Sequence, residues 1–556
     1  MVVTSIPQVG LVIKRGNAWH GSYAIMDFDE LTYSAYINSL IDGRPRRNNP
    51  YLKKESDRQN VGESLFSIQI LPAYVIAWPA RALGVSTSTA FILLTPLMAF
   101  CSSLAIFWLL FQITKNETIS AIAVLIVLLC GRLISESPLI AVQYYSSFAF
   151  LRRYLPALPF PLFFLFCGFV WRAFLNNSKK WAFAAGAVMA LLIFSYFYLW
   201  TAAAAWLLCF TVLWLIARAK DWRTLSKSIL IVSGVAVCAL APYFYLLSRR
   251  EKTIDENQAL TFSRTPDLVR VTEIISFLII ILLLIAIRRR RIDWRSPGVL
   301  FVIACAITPF VVFNQQVISG LTLQSFHYEQ FIINYLVLLS IAGTYHLIWS
   351  HLKIRPFVWA VFAVGVGFAT ALKEVHDNSS VNVRRDQERP VFQRLQKNDG
   401  WELFDNSLLA ASALTDSSVP QLWAPSMHFY GGITETERRE RFFQYLYLLG
   451  VEPQTFAHDL QNDAHVQAAV FGLHRVNSRL TQTFTPLPVE EIHAQVESYS
   501  AYTQSFSDQQ ANRWPLVYVV TSNEVTHDFT NLDRWYTRSS GEPVGNSTVY
   551  RVRRKY

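Results

Sequence analysis

Apolar runs separated by short polar segments dominate residues 88–373 of this 556-residue chain. A helix that crosses a bilayer needs about 20 mostly apolar residues. We therefore predict ten membrane spans and place residues 88–373 in a transmembrane helical domain. The predicted runs are 88–113, 117–135, 156–174, 181–197, 199–217, 228–247, 271–287, 298–314, 330–349 and 356–373.

Lysine and arginine are distributed unequally between the two alternating sets of loops. One set holds 15 of these residues and includes the run Arg288–Arg291, whereas the other set holds eight. Cytoplasmic loops carry the excess of positive residues in membrane proteins. This rule predicts that residues 1–87 and 374–556 lie on the outer face of the membrane.

The amino-terminal segment, residues 1–87, is expected to be an outer-face loop with amphipathic helices. Residues 29–40 predict one helix, and residues 64–83 predict a second that lies in the membrane interface, because it contains Pro72, Pro79 and Arg81. An outer-face segment of this length needs a preceding helix to carry it across the membrane. We therefore expect that a first membrane helix is missing from the sequence through a late start codon or truncation.

Residues 374–556 have the pattern of a soluble domain. The net charge is −4 for residues 376–556, against +15 for residues 1–375, and the mean hydropathy of the whole chain is +0.27. Residues 435–450 predict a helix, and residues 516–520 and 548–552 predict strands. The expected fold class is thus mainly α, a polytopic helical bundle followed by a small α/β or α+β domain.

Overall composition excludes an ordinary soluble enzyme. Only 16% of the residues are charged and 52% are hydrophobic, whereas soluble domains carry roughly 25% charged residues. The positive charge lies in short loops between apolar runs, which does not indicate a nucleic-acid partner. We expect membrane lipid to be the main partner of the transmembrane domain.

A cluster of acids stands near the amino terminus, where Asp27, Asp29 and Glu30 occupy three of four consecutive positions. Such carboxylates beside a membrane surface can bind a divalent cation or accept a proton from a substrate hydroxyl. The alternative is structural: an aspartate caps the following helix, and Glu30 interacts with its dipole. Both interpretations remain open at this point, and one residue can cap while another does chemistry.

A second candidate region follows the second apolar run. Glu136 is predicted at the outer end of that helix, and the adjacent Arg152 and Arg153 come before the next span. Two arginines on the outer side run against the charge rule, so they are candidates for binding an anion such as a lipid phosphate. The alternative is that both side chains extend to the lipid headgroups without a specific ligand.

The loop 314–329 is dense in amides, histidine and tyrosine and contains no lysine or arginine. Polar side chains at a bilayer boundary are unfavourable unless they are paired or face an aqueous cavity. Gln324, His327 and Glu329 are therefore candidate substrate-binding residues, for a sugar or a pyrophosphate. A ligand role in a metal site and a purely structural role are the alternatives.

Several short motifs resemble the GT-C superfamily of membrane glycosyltransferases. They are the stretch from Asp29 to Tyr33, the tripeptides beginning at Ile41 and Asn49, and the segment from Leu71 to Gly84 that precedes an apolar helix. The resemblance covers residues 23–350. It implies that Asp29 is the catalytic base or positions a metal, that Glu136 is a second acid, and that Asp27 and Glu30 are neighbours of the site.

The same resemblance implies a bacterial, inner-membrane glycosyltransferase that uses a sugar carried on a polyprenyl phosphate. Arg152 or Arg153 would then contact the donor phosphate, and the acceptor would be a cell-envelope glycan, lipid or protein. A divalent cation is an open candidate cofactor, with Asp29 and Glu136 as its ligands. The alternatives are a lipid or sugar transporter or flippase and a non-catalytic assembly protein.

Overall fold

The computed structural model describes residues 1–54, 62–135, 148–218, 222–252, 260–268, 270–349, 356–395, 400–472, 475 and 487–555. Twenty-five α-helices, numbered in chain order, and seven strands are defined within these ranges. The first seven helices are α1 (Val2–Arg15), α2 (Asp29–Ile41), α3 (Leu65–Ile68), α4 (Ile70–Leu83), α5 (Thr87–Thr114), α6 (Glu117–Leu129) and α7 (Gly131–Ser135).

Helices of the middle region form the apolar bundle. They are α8 (Pro159–Asn176), α9 (Lys179–Ile193), α10 (Phe197–Ala217), α11 (Trp222–Ser248), α12 (Val271–Arg288), α13 (Pro297–Phe313), α14 (Gln315–Ser319), α15 (Ser325–Tyr328), α16 (Asn334–Trp349) and α17 (Pro356–Asp377). A π-helical turn, Glu329–Ile333, joins α15 to α16. Strand β1 (Leu260–Phe262) pairs antiparallel with β2 (Leu321–Leu323).

Seven helices in the described part of the chain are long and apolar enough to cross a membrane. All ten predicted runs are helical, but three of them form helices of only 13, 15 and 17 residues, which are α6, α9 and α13. Seven of the predicted spans therefore have the length expected of a membrane-crossing helix, and the other three are shorter helices. The helices α6 and α9 are short because the chain turns after Leu129 and Ile193, where an apolar sequence alone does not mark an end.

The carboxy-terminal lobe follows α17 directly. Its helices are α18 (Ser379–Arg394), α19 (Ser407–Ala413), α20 (Glu435–Leu448), α21 (Pro453–Asn462), α22 (Ala464–Phe471), α23 (Val489–Gln504), α24 (Asp508–Arg513) and α25 (Thr530–Trp535). Its strands are β3 (Trp401–Phe404), β4 (Leu516–Ser522), β5 (Tyr536–Arg538), β6 (Glu542–Val544) and β7 (Ser547–Arg554). The predicted mixed α and β character of this region is confirmed.

One parallel pair and three antiparallel pairs make up the sheet of the lobe. Strand β3 runs parallel to β4, and β7 pairs antiparallel with β4, β5 and β6. The parallel pair brings the carboxyl ends of β3 and β4 to the same edge of the sheet. Helix α18 packs against β6 and β7 and also against α1, so it lies between the sheet and the amino-terminal segment.

The amino-terminal segment and the carboxy-terminal lobe share one packed core. Helix α2 forms as predicted, but ten of its 13 residues are buried. The carboxy-terminal lobe covers the face of α2 that does not pack against the helical bundle. The Tyr430 hydroxyl donates to the Thr32 carbonyl at 2.7 Å, and the Asn49 side chain donates to the Met427 carbonyl at 2.9 Å. The helix is therefore an interior element rather than an amphipathic surface helix.

Asp386 of α18 is the polar centre of this contact. Its buried carboxylate accepts from the Arg15 guanidinium at 2.8 Å and from the backbone N–H groups of His20 and Ser22 at 3.1 and 3.2 Å. These bonds fix the chain that leads to Asp27. The lobe thus helps to position the start of α2.

We expect Asp386→Ala to lower the free energy of unfolding by about 3 kcal/mol, because it leaves a cation and two buried N–H groups without an acceptor. Thermal unfolding of the purified protein in nanodiscs, followed by tryptophan fluorescence, measures the change. The matched control is Asp377→Ala, which removes an exposed pair with Lys373 at 3.9 Å and is expected to change stability by less than about 1 kcal/mol. Equal effects of the two variants would contradict this role of Asp386.

Candidate functional site

Asp27 and Asp29 lie at the amino-terminal end of α2. The Asp27 carboxylate accepts the backbone N–H of Asp29 at 2.8 Å, and the Asp27 carbonyl accepts the N–H of Glu30 at 3.1 Å. Asp27 therefore acts as a cap of the helix start, which satisfies donors that a helix leaves unpaired. The side chain of Asp29 is 49% exposed and that of Asp27 is 20% exposed, so Asp29 is the more accessible of the two acids.

Arg152 lies directly beneath these two acids. Its Nη1 is 2.6 Å from Oδ2 of Asp29 and 3.7 Å from Oδ2 of Asp27, and its side chain is only 3% exposed. Its remaining donors are used by the Leu155 carbonyl at 2.8 Å and the Tyr196 hydroxyl at 3.2 Å. A buried guanidinium held on three sides can orient the accessible carboxylate of Asp29.

Arg153 has a different environment from its neighbour. Its side chain forms a fully buried ion pair with Glu30 at 2.8 Å, and it also donates to the carbonyls of Phe91 and Ala24. Glu30 in turn accepts the backbone N–H of Arg153 at 2.8 Å. The side chains of Arg153 and Glu30 are 2% and 0% exposed and satisfy each other, so we propose a scaffold role for them in place of the substrate contact expected from the sequence.

Aromatic rings pack next to Arg152 and form the next part of the candidate site. The guanidinium lies 4.4 Å from the ring centre of Phe331, and Phe331 stacks on His327 with 5.1 Å between ring centres. The Tyr198 ring packs edge-on to His327 at 4.8 Å, and its hydroxyl donates to the side chain of Gln324 at 3.2 Å. The candidate residues Gln324 and His327 therefore lie beside Arg152 and the two acids.

Local backbone geometry explains how these side chains meet. Phe331 belongs to the π-helical turn, and such turns occur frequently at functional sites because the extra residue changes the direction of a side chain. Gln324 has a φ of 36°, a conformation that is uncommon for a residue other than glycine. The buried Nδ1 of His327 has no hydrogen-bond partner among the described residues, and it is therefore a polar atom that a ligand can reach with a donor or acceptor.

Glu329 belongs to a separate buried cluster. Its carboxylate pairs with Arg270 at 2.6 Å, and Arg270 also bonds Asp267 at 2.8 Å and the Ser325 hydroxyl at 2.8 Å. The negative charge of Glu329 is thus taken up by Arg270, and its side chain is 6% exposed. Glu329 holds the turn that carries His327 and Phe331, rather than facing the acids of α2.

Of the predicted site residues, the structure brings together Asp27, Asp29, Arg152, Gln324 and His327. Glu136, the candidate second acid, lies outside the described residues. The contribution of Tyr196 and Phe331 was missed in the sequence. Tyr196 lies in a turn rich in aromatic residues between two apolar helices. The sequence pattern there does not indicate that the Tyr196 hydroxyl makes a polar contact.

The described acids fit a divalent cation incompletely. Asp27 and Asp29 supply two carboxylates, but no group of three histidine, cysteine or acidic side chains suited to a metal occurs within the described part of the chain. Arg152 already supplies a positive charge between the two carboxylates. A cation at this position would need a further ligand, for which Glu136 is the candidate from the sequence.

The fold of this chain is similar to those of two proteins of known structure, among others. The oligosaccharyltransferase of Archaeoglobus fulgidus in its apo form is 11% identical, with 94% of this chain and 69% of that chain covered and a TM-score of 0.44. The same archaeal enzyme, AglB, in complex with an inhibitory peptide and a dolichol-phosphate matches over 99% of this chain and 74% of that chain, at 11% identity and a TM-score of 0.44.

The second protein is ArnT from Cupriavidus metallidurans bound to undecaprenyl phosphate. It is 12% identical, with 99% of this chain and 96% of that chain covered and a TM-score of 0.41. No family model and no curated protein matches the sequence.

The ion pairs Arg153–Glu30 and Arg152–Asp29 are expected to differ in their effect on the free energy of unfolding. Arg153→Gln leaves the buried Glu30 carboxylate without its cation, so the free energy of unfolding should fall by about 3 to 5 kcal/mol. Asp29→Asn changes a half-exposed side chain and should alter it by less than about 1 kcal/mol. Thermal unfolding in nanodiscs measures both, and a large loss with Asp29→Asn would show that Asp29 is a structural residue.

Asp27 should make stability depend on pH. Burial raises the pKa of Asp27 to about 7, Asp29 raises it too, and Arg152 lowers it. The pKa of aspartate in an unfolded chain is about 3.9. Between about pH 4 and pH 7 the folded state therefore binds more protons at Asp27 than the unfolded state does, so this residue's contribution to stability falls as pH rises through that window.

We expect Asp27→Asn to remove this part of the pH dependence. Melting temperatures measured from about pH 4 to pH 8 should fall less steeply for Asp27→Asn than for the wild type. Asp377→Asn, an exposed aspartate, serves as the control and should follow the wild-type curve. Parallel curves for wild type and Asp27→Asn would mean that the pKa of Asp27 is not raised.

Proposed function

We propose that this chain is a membrane glycosyltransferase of the GT-C type, which moves a sugar from a polyprenyl-phosphate donor to an acceptor hydroxyl. The observation that carries the proposal is the half-exposed Asp29 carboxylate held at 2.6 Å by the buried Arg152. A general base must be accessible to the substrate and fixed in direction. Among the described acids of the cluster, Asp29 best meets both requirements.

In the proposed reaction, Asp29 takes the proton of the acceptor hydroxyl. The acceptor oxygen forms a bond to the anomeric carbon, and the bond between that carbon and the phosphate oxygen breaks. The polyprenyl phosphate leaves with the electron pair of the broken bond. The contact with Arg152 at 2.6 Å fixes the direction of the carboxylate before the proton is accepted.

Arg152 is also the candidate for stabilising the departing phosphate. Positive charge placed in a region of low dielectric stabilises negative charge that develops in a transition state. The guanidinium of Arg152 is buried against Phe331, whereas Arg153 is neutralised by Glu30. We therefore propose Arg152 alone, of the two arginines, for this role, with His327 and Gln324 as substrate contacts beside it.

The membrane setting suits a lipid-linked donor. Seven helices in the described part of the chain are long and apolar enough to cross a membrane, where a polyprenyl tail would lie. The charge distribution of the loops supports an outer-face site and a carboxy-terminal lobe on the same side. We propose a bacterial inner-membrane location and a glycan, lipid or protein of the cell envelope as the acceptor, with a hexose or pentose as the transferred sugar.

The test is a complementation experiment in a host that lacks this gene. We expect one lipid-linked or surface sugar to disappear on deletion, to return with the wild type, and to remain absent with Asp29→Asn, whose transfer rate should fall about 100-fold or more. Mass spectrometry of surface glycans and lipid-linked sugars is the readout. Asp377→Asn is the matched control, because it changes an exposed aspartate outside the site.

Other outcomes would favour the alternative functions. Full restoration by Asp29→Asn would overturn the transferase, and a change in donor uptake into membrane vesicles would then indicate a transporter or flippase. An unchanged uptake with a defect in envelope assembly would indicate a non-catalytic assembly protein. Addition of EDTA to an in vitro transfer assay measures whether a divalent cation takes part.

A further inference from the structure

A second polar cluster lies in the carboxy-terminal lobe, at the carboxyl ends of the parallel strands β3 and β4. Asp405 follows β3, and its Oδ2 accepts from the backbone N–H of Ser522 at 2.8 Å and lies 2.7 Å from Nε2 of His527. Glu388 of α18 faces the same edge, where its Oε2 accepts from the Ser547 hydroxyl at 2.7 Å. Ligands commonly bind at this edge of parallel strands.

Several buried atoms of this cluster have no partner among the described residues. They are Oδ1 of Asp405, Oε1 of Glu388 and Nε of Arg384. The side chain of Asp405 is 3% exposed and Glu388 is 1% exposed. A buried polar group without a hydrogen bond is unfavourable by several kilocalories in an apolar medium, so such a group is usually satisfied by water or a ligand.

The charge of the cluster restricts what it can bind. Asp405, Glu388 and Glu524 bring three carboxylates against the single guanidinium of Arg384, so a phosphate or another anion is repelled. No group of three residues suited to a metal occurs in the described part of the lobe. The free oxygens of Asp405 and Glu388 are acceptors, and Nε of Arg384 is a donor, which matches the pattern of neighbouring hydroxyl groups on a sugar.

The most exposed part of the cluster is an ion pair. Arg384 lies 3.3 Å from Glu524, with side chains 26% and 62% exposed. Exposed ion pairs of this kind contribute little to stability, so breaking the contact between Arg384 and Glu524 requires little free energy. Arg384 also donates to the Ser522 hydroxyl at 3.2 Å, which keeps it beside Asp405.

We infer that this cluster, formed by Asp405, Glu388, Arg384 and His527, binds a neutral sugar. The inference deepens the proposed function, on which it rests, by making the acceptor of the transfer a carbohydrate. Helix α18 connects the two sites: Glu388 faces the sheet, whereas Asp386 holds the chain that leads to Asp27. A glycan bound at the lobe would therefore lie against the helix that positions the acids of α2.

The test is a binding experiment with the full chain in nanodiscs that are free of glycoside detergent. The probes are the methyl glycosides of glucose, galactose, mannose and arabinose, titrated by saturation-transfer NMR. We expect at least one probe to bind the wild type, and Glu388→Gln and Asp405→Asn to weaken it at least tenfold. Glu388→Gln can keep the contact with Ser547 and replaces only the free acceptor by a donor.

Two control variants locate the binding. Glu402→Gln makes the same change at another buried carboxylate of the lobe, which belongs to β3, and should leave binding unchanged. Asp29→Asn should also retain binding, so the binding result is independent of the transfer reaction. If Glu388→Gln fails to fold, Arg384→Gln, which removes the free donor from a partly exposed side chain, takes its place.

The inference is overturned by either of two results. Absence of binding by all four probes would mean that ordered water alone satisfies the cluster. Binding that is equally strong in wild type, Glu388→Gln, Asp405→Asn and Arg384→Gln would place the sugar elsewhere. Sugar binding together with full activity of Asp29→Asn would retain the inferred site and reject the transferase, so the two failures are distinguishable.

Discussion

The buried ion pair between Glu30 and Arg153 is the contact on which the candidate site depends. It joins the first turn of α2 to a segment that is 123 residues away in the chain, through both the side chain and the backbone N–H of Arg153. Separating two buried charges is strongly unfavourable because each loses its counter-charge without regaining water. The pair therefore fixes the distance between the acids of α2 and the turn that carries both arginines.

Fixing Arg153 also determines what Arg152 can do. The two side chains are adjacent, and the following residue, Tyr154, has a φ of 72°, so the chain turns sharply after them. Arg153 points into the core, whereas Arg152 points to Asp29 and Asp27 at the accessible side. One pair of neighbouring arginines thus provides a structural anchor and a functional charge, and the anchor makes the position of the functional charge reproducible.

Sequence patterns predicted the helical bundle, the mixed lobe and the acids of α2. Residue chemistry alone could not distinguish Asp29 from Glu30 or Arg152 from Arg153, because adjacent residues of the same type differ only in their tertiary partners. Only the family resemblance singled out Asp29. The burial of α2 was missed for the same reason: its covering face comes from residues about 400 positions later, such as Tyr430. Glu329 was placed with the substrate contacts because its partner, Arg270, is also distant in the chain.

Asp29 and Glu30 differ in exposure because they have different partners. We use this difference to distinguish the acid that supports the fold from the acid that is available to a substrate. A carboxylate that accepts bonds from buried donors on every side, as Glu30 does, has no free position for a substrate proton. Asp29 receives one strong bond from Arg152 and keeps about half of its surface in contact with solvent. Because a base needs a free lone pair, we propose the half-satisfied acid, Asp29, as the group that reacts and the fully satisfied acid beside it, Glu30, as its support.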